Sequence, residues 1–272
     1  MPVWIAVILG IVQGLTEFLP VSSSGHLALM QSVLDVHKYM DDMLAFDVVL
    51  HLGTLTAVVA AFRKDIKELI VEFFGFARDG FKVKDRPYRR MIVMLLIATA
   101  LMVPAALLDG VISSVMGSTL FIGCALCVTA VMLTFADKSA GGDKTEADAP
   151  YRSALLVGIM QLFAIVPGIS RSGSTLCGGL FSGFERSFAV RFAFILSIPA
   201  VLGAAVLELP DMFADGFDTA LLLPCAAGFV CAAVFGYLAI KTVQWLTRKR
   251  SLRFFGVYCA AVGIISIVLS IV

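Results

Sequence analysis

Charge is what this chain has little of. Asp, Glu, Lys and Arg make up 15% of its 272 residues, while 60% are hydrophobic. A soluble domain is nearer a quarter charged and half apolar. The few charges gather in loops between long apolar runs, and mean hydropathy is +0.96. That pattern excludes an ordinary soluble globule and describes an integral membrane protein. The net charge of +1 leaves no basic surplus, so nucleic acid is not an expected partner. A second cysteine pair is missing too. Cys124, Cys127, Cys177, Cys225, Cys231 and Cys259 all lie in apolar runs, and Cys124-Ala-Leu-Cys127 is half of a zinc pattern without its other half. Small buried thiols are expected there, not a metal site. Met1 to Val12 carries neither a basic segment nor an A-x-A site, so no cleavable signal is expected.

What is present is an all-α pattern. Six apolar runs, near 43–62, 90–108, 114–135, 187–207, 218–240 and 252–271, are each long enough to cross a bilayer. Four shorter pieces, 2–18, 22–34, 151–166 and 173–184, form two pairs, each broken by a Pro/Ser/Gly stretch. Interrupted segments of this kind predict re-entrant helical hairpins, whose open backbone must be satisfied by protein or water. Loop 63–90 has nine basic residues against five acidic, loop 241–253 has five basic and none acidic, and loop 208–218 has four acidic and none basic. The first two are therefore expected on the cytoplasmic side and the third outside. The hairpin at 2–34 then enters from outside and the one at 151–184 from inside. Residues 65–77 show charged and apolar residues at helical spacing, as an interfacial helix does.

The chain also repeats itself. Gly10-Ile11-Val12-Gln13 matches Gly158-Ile159-Met160-Gln161, and Pro20-Val21-Ser22-Ser23 matches Pro167-Gly168-Ile169-Ser170. With the opposite hairpin directions, this predicts a single membrane domain, 1–272, built as an inverted-topology repeat. Its halves are about 1–135 and 151–272, joined by a cytoplasmic linker at 136–150. In such folds the site lies where the two broken hairpins meet.

The stretch Thr16 to His26, TEFLPVSSSGH, places costly residues at that meeting point. Pro20 and Pro167 each break a helix, and Ser22, Ser23, Ser170 and Ser172 stand where the next helices begin. Two helix N-termini facing one cavity make an anion site, most naturally for phosphate. Arg171 adds a planar fork that matches phosphate oxygens. Glu17 lies one turn past Gln13 on the same helix face, suited to holding a metal or handling a proton. His26 can donate or take a proton, or attack phosphorus itself. Ser23 reads as a nucleophile, a helix cap or a phosphate donor. Asp47 and His51 sit one turn apart in FDVVLHLGT, with structure and function equally open, and Glu185-Arg186 reads as a solvated pair at a turn.

Gln13-x-x-x-Glu17 followed by Phe18-Leu19-Pro20-Val21-Ser22-Ser23-Ser24-Gly25-His26 resembles the first signature of the bacterial undecaprenyl pyrophosphate phosphatase family, associated with bacitracin resistance. Pro167-Gly168-Ile169-Ser170-Arg171-Ser172-Gly173-Ser174-Thr175 resembles its second. The resemblance extends over nearly the whole chain. It implies hydrolysis of undecaprenyl diphosphate to the monophosphate carrier and inorganic phosphate, for cell-wall synthesis. It implies a multi-pass protein of the bacterial inner membrane with its site open to the periplasm, and a Mg²⁺ or Ca²⁺ cofactor. Bacitracin competes for the same substrate, and a homodimer is implied as well. Glu17, Ser23, His26 and Arg171 match the family's functional set. Ser22, Ser24, Gly25, Ser170, Ser172, Gly173 and Thr175 surround the phosphates, and Glu17 with Gln13 would hold the metal. Family members carry Glu or Gln at the position of Gln13, so here Glu17 is the main anionic ligand. The nucleophile stays open between Ser23, His26 and water.

Three other classes compete. A type-2 phosphatidic acid phosphatase needs a His six residues after its motif Arg, where this chain has Cys177, and a Lys where it has Asp79. An intramembrane serine protease using Ser23 and His26 leaves Arg171 without work. A lipid-phosphate transporter or flippase would use the same anion site, but needs no nucleophile.

Overall fold

The computed structural model describes residues 1–39, 44–80, 82–83, 85–104, 118–138, 142–214, 219–249 and 252–271. Among them the regular structure is helical, apart from one isolated bridge between Lys144 and Phe184. In chain order come α1 (Val3–Phe18), α2 (Ser23–Val33), α3 (Leu44–Ala61), α4 (Arg63–Arg78), α5 (Pro87–Ala100) and α6 (Thr119–Lys138). Then follow α7 (Tyr151–Phe163), α8 (Arg171–Phe181), α9 (Arg186–Ala214), α10 (Leu222–Arg248) and α11 (Arg253–Ile271).

Both expected breaks are present, each for a local reason. Leu19 precedes Pro20, whose ring disfavours helical geometry in its predecessor. Leu19 is accordingly extended (φ −63°, ψ 137°) and α1 stops. Ser22 then caps α2, its Oγ accepting from the Gly25 N–H at 3.4 Å. In the second pair α7 ends ahead of Pro167, and Ser170 caps α8 by accepting from Gly173 N–H at 3.1 Å. Between them Gly168 has φ +93°, and a Cβ there would lie 2.7 Å from the carbonyl oxygen of Ile122 on α6. Only glycine permits both the conformation and the approach.

Among the described residues four helices are long and apolar enough to cross a membrane: α6, α10, α11 and residues Arg186–Leu207 of α9. The pair α3 and α4, bent by 86°, counts as a fifth if taken as one span. The sequence predicts six. Of the expected span at 90–108, α5 supplies the part to Ala100. Residues 105–117, which would finish it and begin the next, lie outside the described residues. The segment expected as an interfacial helix is helical, as α4, bent 86° from α3 with Ile70, Phe73 and Phe74 exposed.

Helix packing fixes the hairpins. Gly10 and Gly14 let α1 lie directly on α10: a Cβ at Gly10 would be 2.4 Å from the Gly228 carbonyl oxygen. Phe18, at the end of α1, meets Phe194 of α9 edge-on with centroids 5.4 Å apart. The stretch 142–149 is no free tether. Lys144 Nζ donates to Ser182 O at 2.9 Å, Arg90 donates to Ala149 O, and Arg191 ion-pairs with both Asp65 and Glu146. Glu185 and Arg186 do not form the expected solvated pair. Glu185 accepts from Ser187 Oγ, and Arg186 lies 3.9 Å from Asp137.

Candidate active site

The two breaks meet. Ser172 Oγ donates to the carbonyl of Leu19 at 3.2 Å, and a Cβ on Gly173 would touch Pro20 at 3.2 Å. Across this junction Arg171, at the start of α8, forms an ion pair with Oε1 of Glu17, at the end of α1. The Glu17 side chain is only 3% exposed, and Arg171 is 26% exposed. A buried carboxylate survives only if paired and hydrogen-bonded. Glu17 meets that demand fully. Its Oε2 accepts from Ser23 Oγ at 2.6 Å and from Gln13 Nε2 at 3.1 Å. The i, i+4 placement of Gln13 and Glu17 on α1 makes the second bond, and the turn at Pro20 brings Ser23 back to make the first.

The backbone is strained at the same place. Ser22 has φ +72° and ψ 98°, unusual for a residue with a side chain. Such conformations cost about 1–3 kcal/mol and concentrate at functional sites. Beside the ion pair is a cavity of ≈ 130 Å³ lined by Val48, His51, Arg171, Val201, Ala204 and Ala205. His51 Nε2 lies 3.9 Å from Glu17 Oε2, and its Nδ1 is tied to the carbonyl of Asp47 at 2.8 Å. Asp47 itself accepts from Gln31 of α2.

Gln13, Glu17, Ser23 and Arg171 are thus brought together as expected. His26 points elsewhere: its Nε2 lies 2.9 Å from the Tyr258 hydroxyl of α11. Ser22 and Ser170 have their hydroxyls on helix caps, and Thr175 donates to the Arg171 carbonyl one turn back. Ser24 is exposed, and Gly25 and Gly173 supply the capped N–H groups. Two residues stand out only in the structure. His51 joins the Glu17 cluster, for which the polar i, i+4 pair in FDVVLHLGT was a signal. Tyr258 is a phenol in a mostly apolar final helix, exposed but with its hydroxyl on His26.

The residues present suit a hard cation only in part. Among the described residues no group of three or more His, Cys, Asp or Glu could enclose a metal ion. Glu17 is one carboxylate, and Gln13 Oε1 is buried without a hydrogen-bond partner. One carboxylate and one amide oxygen, completed by phosphate oxygens, fit the way Mg²⁺ is commonly bound beside a phosphorylated substrate.

Helices for several membrane crossings, with an ion pair buried between two broken hairpins, define a multi-pass helical membrane protein with a charged centre in its interior. The profile of the family described as bacitracin resistance protein BacA matches residues 6–265, and the chain belongs to that family. It is 41% identical to an undecaprenyl-diphosphatase of Methanosphaera stadtmanae, over 98% of each chain. It is 37% identical to one from Halothermothrix orenii over 99% of each, and 39% identical to one from Alkaliphilus metalliredigens over 98% of each. All three relatives are named for hydrolysis, not transport.

Proposed function

We infer that the chain is an undecaprenyl-diphosphatase, which hydrolyses undecaprenyl diphosphate to undecaprenyl phosphate and inorganic phosphate. Family membership supports the reaction. The observation that carries the assignment of residues is Glu17, buried between Arg171 of one hairpin and Ser23 of the other.

The arrangement suits phosphoryl transfer, where positioning and charge neutralisation dominate. The diphosphate takes Arg171 from Glu17, since a bidentate phosphate pairs with guanidinium as well as a carboxylate does. Glu17 Oε2 is then free to take the proton of Ser23 Oγ, with which it already shares a short hydrogen bond. Ser23 attacks the distal phosphorus, the bond to the bridging oxygen breaks, and undecaprenyl phosphate leaves. Water then opens the phosphoserine: His26 takes the water's proton at Nε2, the ring nitrogen not tied to the backbone, and Ser23 Oγ leaves with the proton held on Glu17. The N–H groups at the starts of α2 and α8 face the phosphates. Glu17 and Gln13 Oε1 would hold a divalent cation, Mg²⁺ or Ca²⁺, which supplies charge neutralisation when bound. Bacitracin would compete for the same diphosphate.

The architecture we propose has six spans and two re-entrant hairpins in an inverted repeat, with the site open to the periplasm. Exchanged contacts support the repeat. Thr129 of α6, in the first half, holds the second hairpin through Gly168 O and Ser170 N–H. Cys259 of α11, in the second half, holds the first through Pro20 O. Helix α1 packs on α10 as α7 packs on α5.

The test is phosphate release from a C15 or C55 prenyl diphosphate by purified protein in detergent, with Mg²⁺ and then with EDTA. Metal-dependent release that Arg171→Ala abolishes is expected. No release from folded protein would overturn the enzyme reading and leave a lipid-phosphate transporter, since a micelle has no two sides to transport between.

A further inference from the structure

Both ring nitrogens of His26 have partners. Nδ1 lies 2.8 Å from the Ser22 carbonyl oxygen. A carbonyl only accepts, so Nδ1 carries the hydrogen, and Nε2 of the neutral ring presents a lone pair. The Tyr258 hydroxyl donates to it at 2.9 Å. The two rings also stack, 14° from parallel with centroids 5.6 Å apart. Tyr258 does not reach this place on a loose element. The adjacent Cys259 thiol donates to Pro20 O at 3.6 Å. Helix α11 also presses against α6 closely enough that a Cβ at Gly263 would lie 2.7 Å from Gly123 O. Helix α11 is therefore docked in one register on the break between α1 and α2.

We propose that Tyr258 is a positioning residue for His26: the Ser22 carbonyl sets the Nδ1–H tautomer, and the Tyr258 hydroxyl holds the imidazole in one rotamer with Nε2 as the nitrogen that exchanges the proton. This rests on the reading that His26 moves a proton when water opens the phosphoserine. A phenol suits the task because its hydroxyl both donates and accepts. It covers the Nε2 lone pair, so a proton bound for the imidazole enters through the phenol oxygen. The incoming proton joins that oxygen as the phenol's own hydrogen passes to Nε2. The hydroxyl then accepts from the new N–H. No heavy atom has moved, and the pair has gained the one incoming proton, held as the imidazolium while the phenol keeps a hydrogen. An apolar ring in the same place would keep the stack and lose the hold on Nε2.

Tyr258→Phe separates these roles, because it keeps the ring and removes the hydroxyl. Steady-state turnover of a prenyl diphosphate in detergent is compared for wild type, Tyr258→Phe, His26→Ala and the double variant. Ring ¹⁵N spectra of the histidines are recorded beside them, with His26→Ala assigning the signal. Tyr258→Phe is expected to lower kcat about tenfold with KM within about twofold. That is a fraction of the roughly 10²–10⁴-fold supplied by a positioned acid–base group. The double variant should be no slower than His26→Ala, and in Tyr258→Phe the His26 Nε2 signal should shift as its hydrogen bond is lost while Nδ1 keeps its hydrogen. Wild-type turnover in Tyr258→Phe, or a further tenfold loss when it is added to His26→Ala, would overturn the proposal. So would a wild-type spectrum in which Nδ1 lacks the hydrogen, whatever the variants do. Full activity in His26→Ala would instead remove His26 from the reaction, and its positioning residue with it.

Discussion

Replacing Arg171 with Met should damage stability and turnover by separable amounts. Breaking a buried ion pair from one side costs about 3–5 kcal/mol, because the remaining charge is left unpaired. Here the figure should fall to about 2–3 kcal/mol, since Ser23 and Gln13 still donate to Glu17 and water can reach the place of a side chain that is 26% exposed. At about 2–4 °C per kcal/mol for a chain of this size, the apparent Tm should drop by about 4–12 °C. Turnover should drop by about 10³-fold or more, the range for removing an arginine from a phosphoryl-transfer site. The double variant Glu17→Gln/Arg171→Met discriminates. It removes the stranded charge, so it should recover most of the stability while staying inactive. Thermal unfolding in detergent at a fixed scan rate, beside phosphate release, reads both quantities. A single variant as stable as wild type, or a double variant that turns over substrate, would refute the description of Glu17 as a buried carboxylate held by Arg171 for catalysis.

Three further outcomes are expected. Acid quench of protein turning over substrate labelled at its distal phosphate should recover labelled phosphoserine, lost in Ser23→Ala; label recovered instead only from a parallel alkaline quench, as acid-labile phosphohistidine, would move the nucleophile to His26. Gly168→Ala should destabilise by about 2–4 kcal/mol, because it adds a Cβ at φ +93° against the Ile122 carbonyl, and thermal unfolding will show it. In the loop after α4, the Arg89 guanidinium donates to Asp79 at 2.7 Å and holds its carboxyl below the usual range. A depressed carboxyl contributes stability that is present above its unfolded pKa, near pH ~4, and is lost as pH falls through the folded value. Apparent Tm should therefore decline below pH ~4 less steeply in Asp79→Asn than in wild type, and identical slopes would count against the pair.

Much of the site was legible because its residues are expensive where they stand. Glu17 and Arg171 in apolar surroundings demand a partner, and the prolines at 20 and 167 announce where helix must stop. From those, the meeting of two hairpins could be read before any coordinate. The cluster's membership was less legible. His26 stands in the same short motif as Ser23, and sequence proximity suggests a shared target. On α2, however, Ser23 turns to Glu17 while His26, three residues on, turns to α11. His51 reaches Glu17 from α3 because α1 and α3 pack side by side on α10, a tertiary fact that no local pattern encodes. The hydroxyls of Ser22, Ser170 and Thr175 looked free for phosphate in the sequence. Helix caps and a back-bond to the preceding turn claim them first, as short polar side chains at helix starts commonly do. The end of α3 was legible: charged Arg63, Lys64 and Asp65 follow Phe62, and there the chain bends by 86° into α4.

The contacts of α11 also set a timetable for biosynthesis. The turn at Pro20 leaves the ribosome well ahead of α11. Cys259, which holds its carbonyl, and Tyr258, which holds His26, follow more than two hundred residues later. Until the final helix inserts, the early hairpin waits with a broken backbone and a buried carboxylate, its long-range contacts unmade. The nascent chain is therefore exposed to misfolding and quality control from the emergence of the first hairpin until α11 inserts. A truncation of only the last fifteen residues or so, far from the motifs in sequence, should leave the first hairpin without its dock.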